Sequence, residues 1–476
     1  MFEREKDLST EQKALTINLD DRKYGTIVEI GAGQEVARQF FKAGAAAGTV
    51  AKTMSAYDMR VSNKIYGDVG RYVSRERVEQ MLGREFELLL DRLQAARSKD
   101  TTFFSYAATV AAKGYNTTHE CHGWLGLCFQ LRPGEAPSQI VMHVRMLDNS
   151  NEGQSEALGI LGVNLIHGAF TYASEPRWII DGLKDGLEPN RVEVDLIHFS
   201  GPGFSHIDNR LKNLHLIRSK LTRAVMYSPN GQPVVPSEHL YKQSALVIRG
   251  AFMPPTKVHE DMAETGLKQL QLADSDARGA LVMAEISMST LAPGGGADDA
   301  EFLSRTDMVN ALGYNVLVSD YVRTFSLRSW IRRYTHHPIG IAVKATDCDF
   351  LFDESFYDGL EGGIMEAMGK LFAEDTRMFV YPALNDAGEL VTLESLEVPE
   401  QHKYLLKLLV ENGKILPNED CATDNLHISA RKLLSSISEG SGEWEQQLPE
   451  DVRDLIISRN LLGYPDMPEL NGRTSH

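Results

Sequence analysis

The side chains of this 476-residue chain best spaced for chemistry lie in Leu246-Val-Ile-Arg249-Gly250-Ala-Phe252-Met-Pro254-Pro-Thr256-Lys-Val258-His259. A short apolar run ends at Arg249 and Gly250, a loop follows, and His259 stands at the start of a helical pattern. A glycine lets a ligand approach a strand end closely. A helix start offers free N–H groups and positive potential to phosphates. A histidine placed there can donate to phosphoryl oxygens as charge builds during transfer. The same residues also suit a plain strand–turn–helix joint in which Thr256 caps the helix.

The stretch resembles the first signature of the nucleotidyltransferase superfamily, Gly-x-Phe-x-Pro-x-(Thr/His)-x-Gly-His, found in mononucleotide and phosphopantetheine adenylyltransferases. Gly250, Phe252, Pro254, Thr256 and His259 fall on it, with Val258 where a glycine is expected. The second signature, Ile-Ser-Ser-Thr with a following basic residue, is absent. Ile286-Ser-Met-Ser-Thr290 is similar to it, but no basic residue follows directly. The chain as a whole also resembles a poorly characterised bacterial family sometimes labelled a nicotinate mononucleotide adenylyltransferase. The resemblance implies direct attack of a mononucleotide phosphate on ATP, with release of pyrophosphate and no covalent enzyme intermediate. It implies ATP and Mg²⁺, His259 and Thr256 as catalytic residues, and Gly250 and Phe252 at the nucleotide.

Other polar residues fall at predicted carboxyl ends of strands: Arg249, Ser287, Ser319, Asp320 and Lys344. Ligands of open α/β sheets bind beyond those ends, so Arg249, Ser319 and Lys344 are further nucleotide-binding candidates. Arg323, Arg328, Arg332 and Arg333 form a basic run that suits a solvated helix face; in an enzyme, one of them could hold triphosphate. A second glycine turn, Glu29-Ile-Gly31-Ala-Gly33, is similar to the methyltransferase pattern but has Glu35 at the third glycine position. It fits either a tight strand–helix joint or a nucleoside-cofactor site. His119-Glu-Cys121-His122 lacks a distant partner, and zinc needs three or four ligands, so no metal site is expected.

These residues need elements to hold them. From Leu246 onward, apolar strands at 246–248, 281–286, 316–318, 339–343 and 378–381 alternate with helical patterns. Such βα units call for crossovers and hence an open, mostly parallel, Rossmann-like sheet with flanking helices. Before it, an α+β region is expected. Trp124–Leu131 and Ile140–Leu147 form an antiparallel hairpin with one face partly polar, at His143 and Arg145. The first hundred residues predict one strand at 26–30 and two helices, the second over 75–96. The expected organisation is a mainly helical region over 1–100, an α+β region over 101–240 and a Rossmann-like α/β domain over 241–476.

The formal net charge of −17 disfavours binding to nucleic acid or an anionic membrane surface, but leaves room for a small nucleotide in a local basic cleft. The charge-free stretch from Ala157 to Ser174 has glycines, Asn164 and His167, and predicts a buried helix, not a membrane span. The start is charged and no secretory signal is expected. Four scattered cysteines fit a reducing cytoplasm. Nucleotidyl transfer is the leading function, with a non-catalytic α/β binding or scaffold protein as the alternative.

Overall fold

The computed structural model describes residues 8–97, 99–114, 120–273, 277–291 and 298–465. The chain divides into two compact units, Met1–Arg223 and Ala224–His476.

The first unit is built on one sheet of β1 (Lys23–Ile30), β2 (Val50–Met54), β3 (Thr102–Ala111), β4 (Cys121–Phe129), β5 (Ser138–Met146) and β6 (Val192–Ser200). Its order is β2-β1-β3-β4-β5-β6. The first three strands are parallel, and β3 to β6 form an antiparallel meander that contains the expected hairpin. The helices are α1 (Thr10–Asn18), α2 (Glu35–Ala43), α3 (Met59–Tyr66), α4 (Arg75–Arg97), α5 (Asn151–Thr171), α6 (Pro176–Gly182) and α7 (Asn209–Arg218). Local chemistry sets their starts. Ser9 and Gln12 close a capping box on α1, and Asp58, Ser150 and Asp208 cap α3, α5 and α7. Helix α4 buries Val78, Met81, Leu82, Phe86 and Leu89 and lies on β3 and β4.

Most of the charge-free stretch lies in helix α5, which is buried continuously from Ala157 to Ala169. A Cβ on Gly162 would stand 2.3 Å from Val36 of α2, so the glycine lets these two helices pack closely. Among the described residues, no helix is long and apolar enough to cross a membrane.

The expected boundary at residue 100 falls inside this unit, because strands from both sides of it share one sheet. The first hundred residues also hold more than one strand and two helices. Strand β2 escapes the sequence pattern because it lies at the sheet edge and is only half-buried, so it needs no continuous apolar run.

The second unit carries β7 (Ala224–Tyr227), β8 (Pro233–Val234), β9 (Ala245–Arg249), β10 (Leu281–Ser287), β11 (Asn315–Ser319), β12 (Ile339–Lys344), β13 (Thr376–Tyr381), a small hairpin of β14 (Ala383–Leu384) with β15 (Leu390–Val391), and β16 (Ile415–Pro417). The main sheet runs β16-β13-β12-β9-β10-β11-β7-β8. Its six strands from β16 to β11 are parallel, and β7 joins antiparallel. Counted along the chain, the parallel strands stand 3-2-1-4-5-6, the Rossmann order. All five predicted strands are present. Strands β7 and β8 belong to this sheet, so the unit begins at Ala224 and not near 241. Helices α8 (Pro236–His239) and α9 (Lys257–Ala273) flank the first parallel strand in sequence, and α9 packs on β9 and β12.

Candidate functional site

Strand order decides where a ligand can sit. In the second unit the order reverses between β9 and β12, and beyond their carboxyl ends lies the crevice that open α/β sheets use. Strand β9 ends at Arg249 and leads through Gly250 to Thr256 and α9; strand β12 ends at Lys344. The structure thus brings Gly250, Phe252, Thr256, His259 and Lys344 to one place.

His259 is the third residue of α9 and is buried. Its Nδ1 accepts the Thr256 backbone N–H at 3.0 Å and lies 3.0 Å from Thr256 Oγ1. An accepting Nδ1 leaves the proton of the neutral ring on Nε2. Nε2 is directed at the strand end, 3.6 Å from where a Cβ on Gly250 would stand. Burial, with Lys344 nearby, pulls the imidazole down to about 3. The ring is therefore neutral near pH 7, with Nε2–H as a donor. The contact is also a helix cap, because a third-position side chain accepts from the capping residue's N–H, as Glu or Gln does in a capping box.

Phe252 packs inward, against the histidine. It is 1% exposed, with φ of 48°, and its ring packs on that of His259 with centroids 4.9 Å apart. It positions the histidine. Thr256 is buried as well, and its hydroxyl faces His259. Val258, where the signature has glycine, is buried.

Two other candidates are tied elsewhere. Arg249 donates Nε to Glu285 Oε2 at 2.8 Å, Nη2 to the Tyr321 carbonyl at 2.7 Å, and Nη1 to Val322 O and Thr324 Oγ1. Ser319 donates to Glu285 Oε1 at 2.5 Å. Glu285, completely buried on β10, therefore links β9 to β11 through both candidates. Neither has its polar atoms free for phosphate. The signal in the sequence was Glu285 itself, a carboxylate inside an apolar strand, which must find partners when buried.

The arginine run is only partly a solvated face, with Arg333 exposed and Arg323 partly so. Arg328 and Arg332 are buried, and burial lowers both. Arg328 donates to Thr376 Oγ1, and Arg332 to the carbonyls of Thr335 and His337. Thr376 is the first residue of β13, so these groups sit at the amino edge of the sheet, opposite the crevice. Beyond Lys344, a cleft of about 760 Å³ is lined by Thr346, Asp347, Asp349, Asp386, Glu389 and Glu397 among others, and is acidic.

The glycine turn of the first unit is a joint. A Cβ on Gly31 would fall 1.9 Å from the Val110 carbonyl oxygen, so close approach of β1 and β3 demands glycine. The Glu29 carboxylate accepts the Val36 and Ala37 N–H groups at 2.9 and 3.1 Å and so occupies the start of α2. Burial raises Glu29 to about 7 against the pull of those bonds. A phosphate finds those donors taken. His119 lies outside the described residues; among those described, no group of three His, Cys, Asp or Glu residues suits a metal ion. None of the four cysteines is in a disulfide.

No family model and no curated protein matches the chain. Among solved structures, it is similar to the competence/damage-inducible protein CihA from Agrobacterium tumefaciens, at 18% identity and TM-score 0.25, over 33% of this chain and 93% of that one. A competence or damage-inducible protein from Enterobacter asburiae gives 13% and 0.26, over 35% and 100%. A provisionally named nicotinate-nucleotide adenylyltransferase from Vibrio parahaemolyticus gives 16% and 0.26, over 47% and 97%. At such scores the likenesses fix neither a family nor an activity.

Proposed function

We propose that the second unit binds a nucleotide at the β9/β12 crevice and transfers its nucleotidyl group, with ATP as donor and a mononucleotide such as nicotinate mononucleotide as acceptor. One observation carries this reading: His259 is held as a neutral donor, Nε2–H toward Gly250, at the reversal point of a Rossmann-ordered sheet. In such a transfer the acceptor phosphate oxygen attacks the α-phosphorus of ATP and pyrophosphate leaves. His259 donates to a phosphoryl oxygen as charge builds, and Lys344 adds positive charge beside it. Gly250 leaves room for the nucleotide, and Phe252 and Thr256 hold the imidazole. The carboxylates next to Lys344 repel a bare triphosphate, so the substrate is the magnesium complex.

The test is pyrophosphate release from ATP and Mg²⁺ with nicotinate or nicotinamide mononucleotide. Release that His259→Asn lowers by about 10²–10³ in kcat supports the reading. No release with any of a range of mononucleotides removes it. The cap geometry at Thr256 and the burial of His259 favour the second reading, a non-catalytic binding or scaffold unit; for a scaffold, nucleotides leave the melting temperature unchanged.

A further inference from the structure

The polar face expected for the hairpin of the first unit is buried, and it holds a chain of three side chains on neighbouring strands. On β6, Asp195 Oδ1 lies 2.6 Å from His143 Nδ1 on β5. His143 Nε2 lies 3.0 Å from His122 Nδ1 on β4. Asp195 and His143 are buried and His122 is partly exposed. The pairing Ala111↔His122 places the outer histidine beside the last residue of β3. The chain therefore opens at the carboxyl edge of the three parallel strands, the edge at which open α/β sheets take ligands.

The direction of each bond follows from the carboxylate, which only accepts. A neutral His143 that donates Nδ1–H to Asp195 accepts at Nε2. His122 must then donate Nδ1–H to His143, which leaves a lone pair on His122 Nε2, the outer atom. The rings are locked in place: Trp124 packs edge-on against His143 with centroids 5.1 Å apart. The other charges facing His122 are Glu120 and Arg145, and Arg145 is paired with both Glu120 and Glu193. Burial, then His143, pull His122 down to about 4, so the outer ring is neutral near pH 7.

We propose that His122 is a general base in the first unit, with a water or alcohol hydroxyl as its substrate group, and that His143 and Asp195 relay its proton inward. The hydroxyl proton moves to His122 Nε2 while the Nδ1 proton of His122 moves to His143 Nε2. The oxygen keeps the electron pair of the broken O–H bond. His122 ends neutral with its proton on Nε2, and His143 becomes an imidazolium paired with the Asp195 carboxylate. The reverse shift returns the proton. Asp195 stays ionised and stabilises the inner charge, as a buried aspartate does beneath a catalytic histidine. This site is independent of nucleotidyl transfer in the second unit.

Asp195→Asn reverses the chain without changing its shape. The amide donates to His143 Nδ1, which moves the proton of His143 to Nε2 and that of His122 to its outer atom. Diethyl pyrocarbonate acylates unprotonated imidazole nitrogen, and peptide mapping reads the rate at His122. The expected result is acylation about 10²-fold slower in folded Asp195→Asn than in wild type, by analogy with tautomer reversal in triads. Equal rates in a folded variant overturn the proposal. If the variant does not fold, nitrogen-15 NMR of the wild type decides: an unprotonated Nε2 on His122 at pH 7 supports the relay, and a protonated one overturns it.

Discussion

His259→Asn separates the histidine's electrostatics from its hydrogen bond. The Asn Oδ1 takes roughly the place of Nδ1 and can still accept the Thr256 N–H, so the cap survives. The titration and the Nε2–H donor are lost. In the folded wild type the imidazole is held near 3, against 6.5 in the unfolded chain. The unfolded state therefore binds more protons between those values, and stability rises with pH across that window. The neutral ring's contribution is fully present above about pH 6.5 and is lost as pH falls toward 3. Between pH 7 and pH 5 the wild type should lose about 2 kcal/mol from this group, at 1.36 kcal/mol per pH unit. At pH 7 the variant should be less stable by about 1–2 kcal/mol for ring packing lost against Phe252. Hydrogen exchange of α9 peptides, read by mass spectrometry and corrected for intrinsic pH dependence, reports this region without averaging over both units. The pH-dependent loss should be smaller in the variant by that amount. Parallel pH profiles for the two proteins would refute a buried neutral imidazole, and with it the assignment of Nε2–H as donor.

Other outcomes follow from the same contacts. Glu285→Gln leaves the Arg249 guanidinium without its carboxylate and should cost about 3–5 kcal/mol, against about 1–2 kcal/mol for Ser319→Ala, measured by urea unfolding. Gly31→Ala puts a Cβ on the Val110 carbonyl at a φ of 99° and should prevent soluble expression or lower the melting temperature steeply. Gly33→Ala meets nothing within 4 Å and should cost only about 1 kcal/mol for its positive φ. ATP with Mg²⁺ should raise the melting temperature in a concentration-dependent way, and AMP should do so less; flat curves for both would favour the scaffold reading.

The parallel sheet of the second unit was legible because its strands, buried on both faces, are short continuous apolar runs. Its strand order was not, since nothing local to β9 says that β12 and β10 will flank it. Strand β2 was the harder case, because at the sheet edge it is only half-buried, and the pairing of β7 with β11 could not be read locally because the two lie far apart along the chain. The site shows the same division. Gly250, Thr256 and His259 are near one another in sequence, and their geometry follows from a strand turning into a helix. Arg249 and Ser319 do close strands β9 and β11, but their common partner, Glu285, is remote from both in sequence and visible only as a charge in an apolar strand.

A buried charge in a strand therefore says more about location than about role. Glu285 and Asp195 are both carboxylates within largely apolar strands, and both are buried. Glu285 is satisfied from both sides by Arg249 and Ser319, so its work is to join three strands. Asp195 binds His143 through one oxygen, and His143 in turn reaches a partly exposed histidine at the ligand edge of the sheet. A carboxylate whose partners end in the core holds a fold together. A carboxylate whose partner chain ends at a partly exposed imidazole can move a proton. The difference lies in where the hydrogen-bond chain terminates, and the sequence around either residue does not show that.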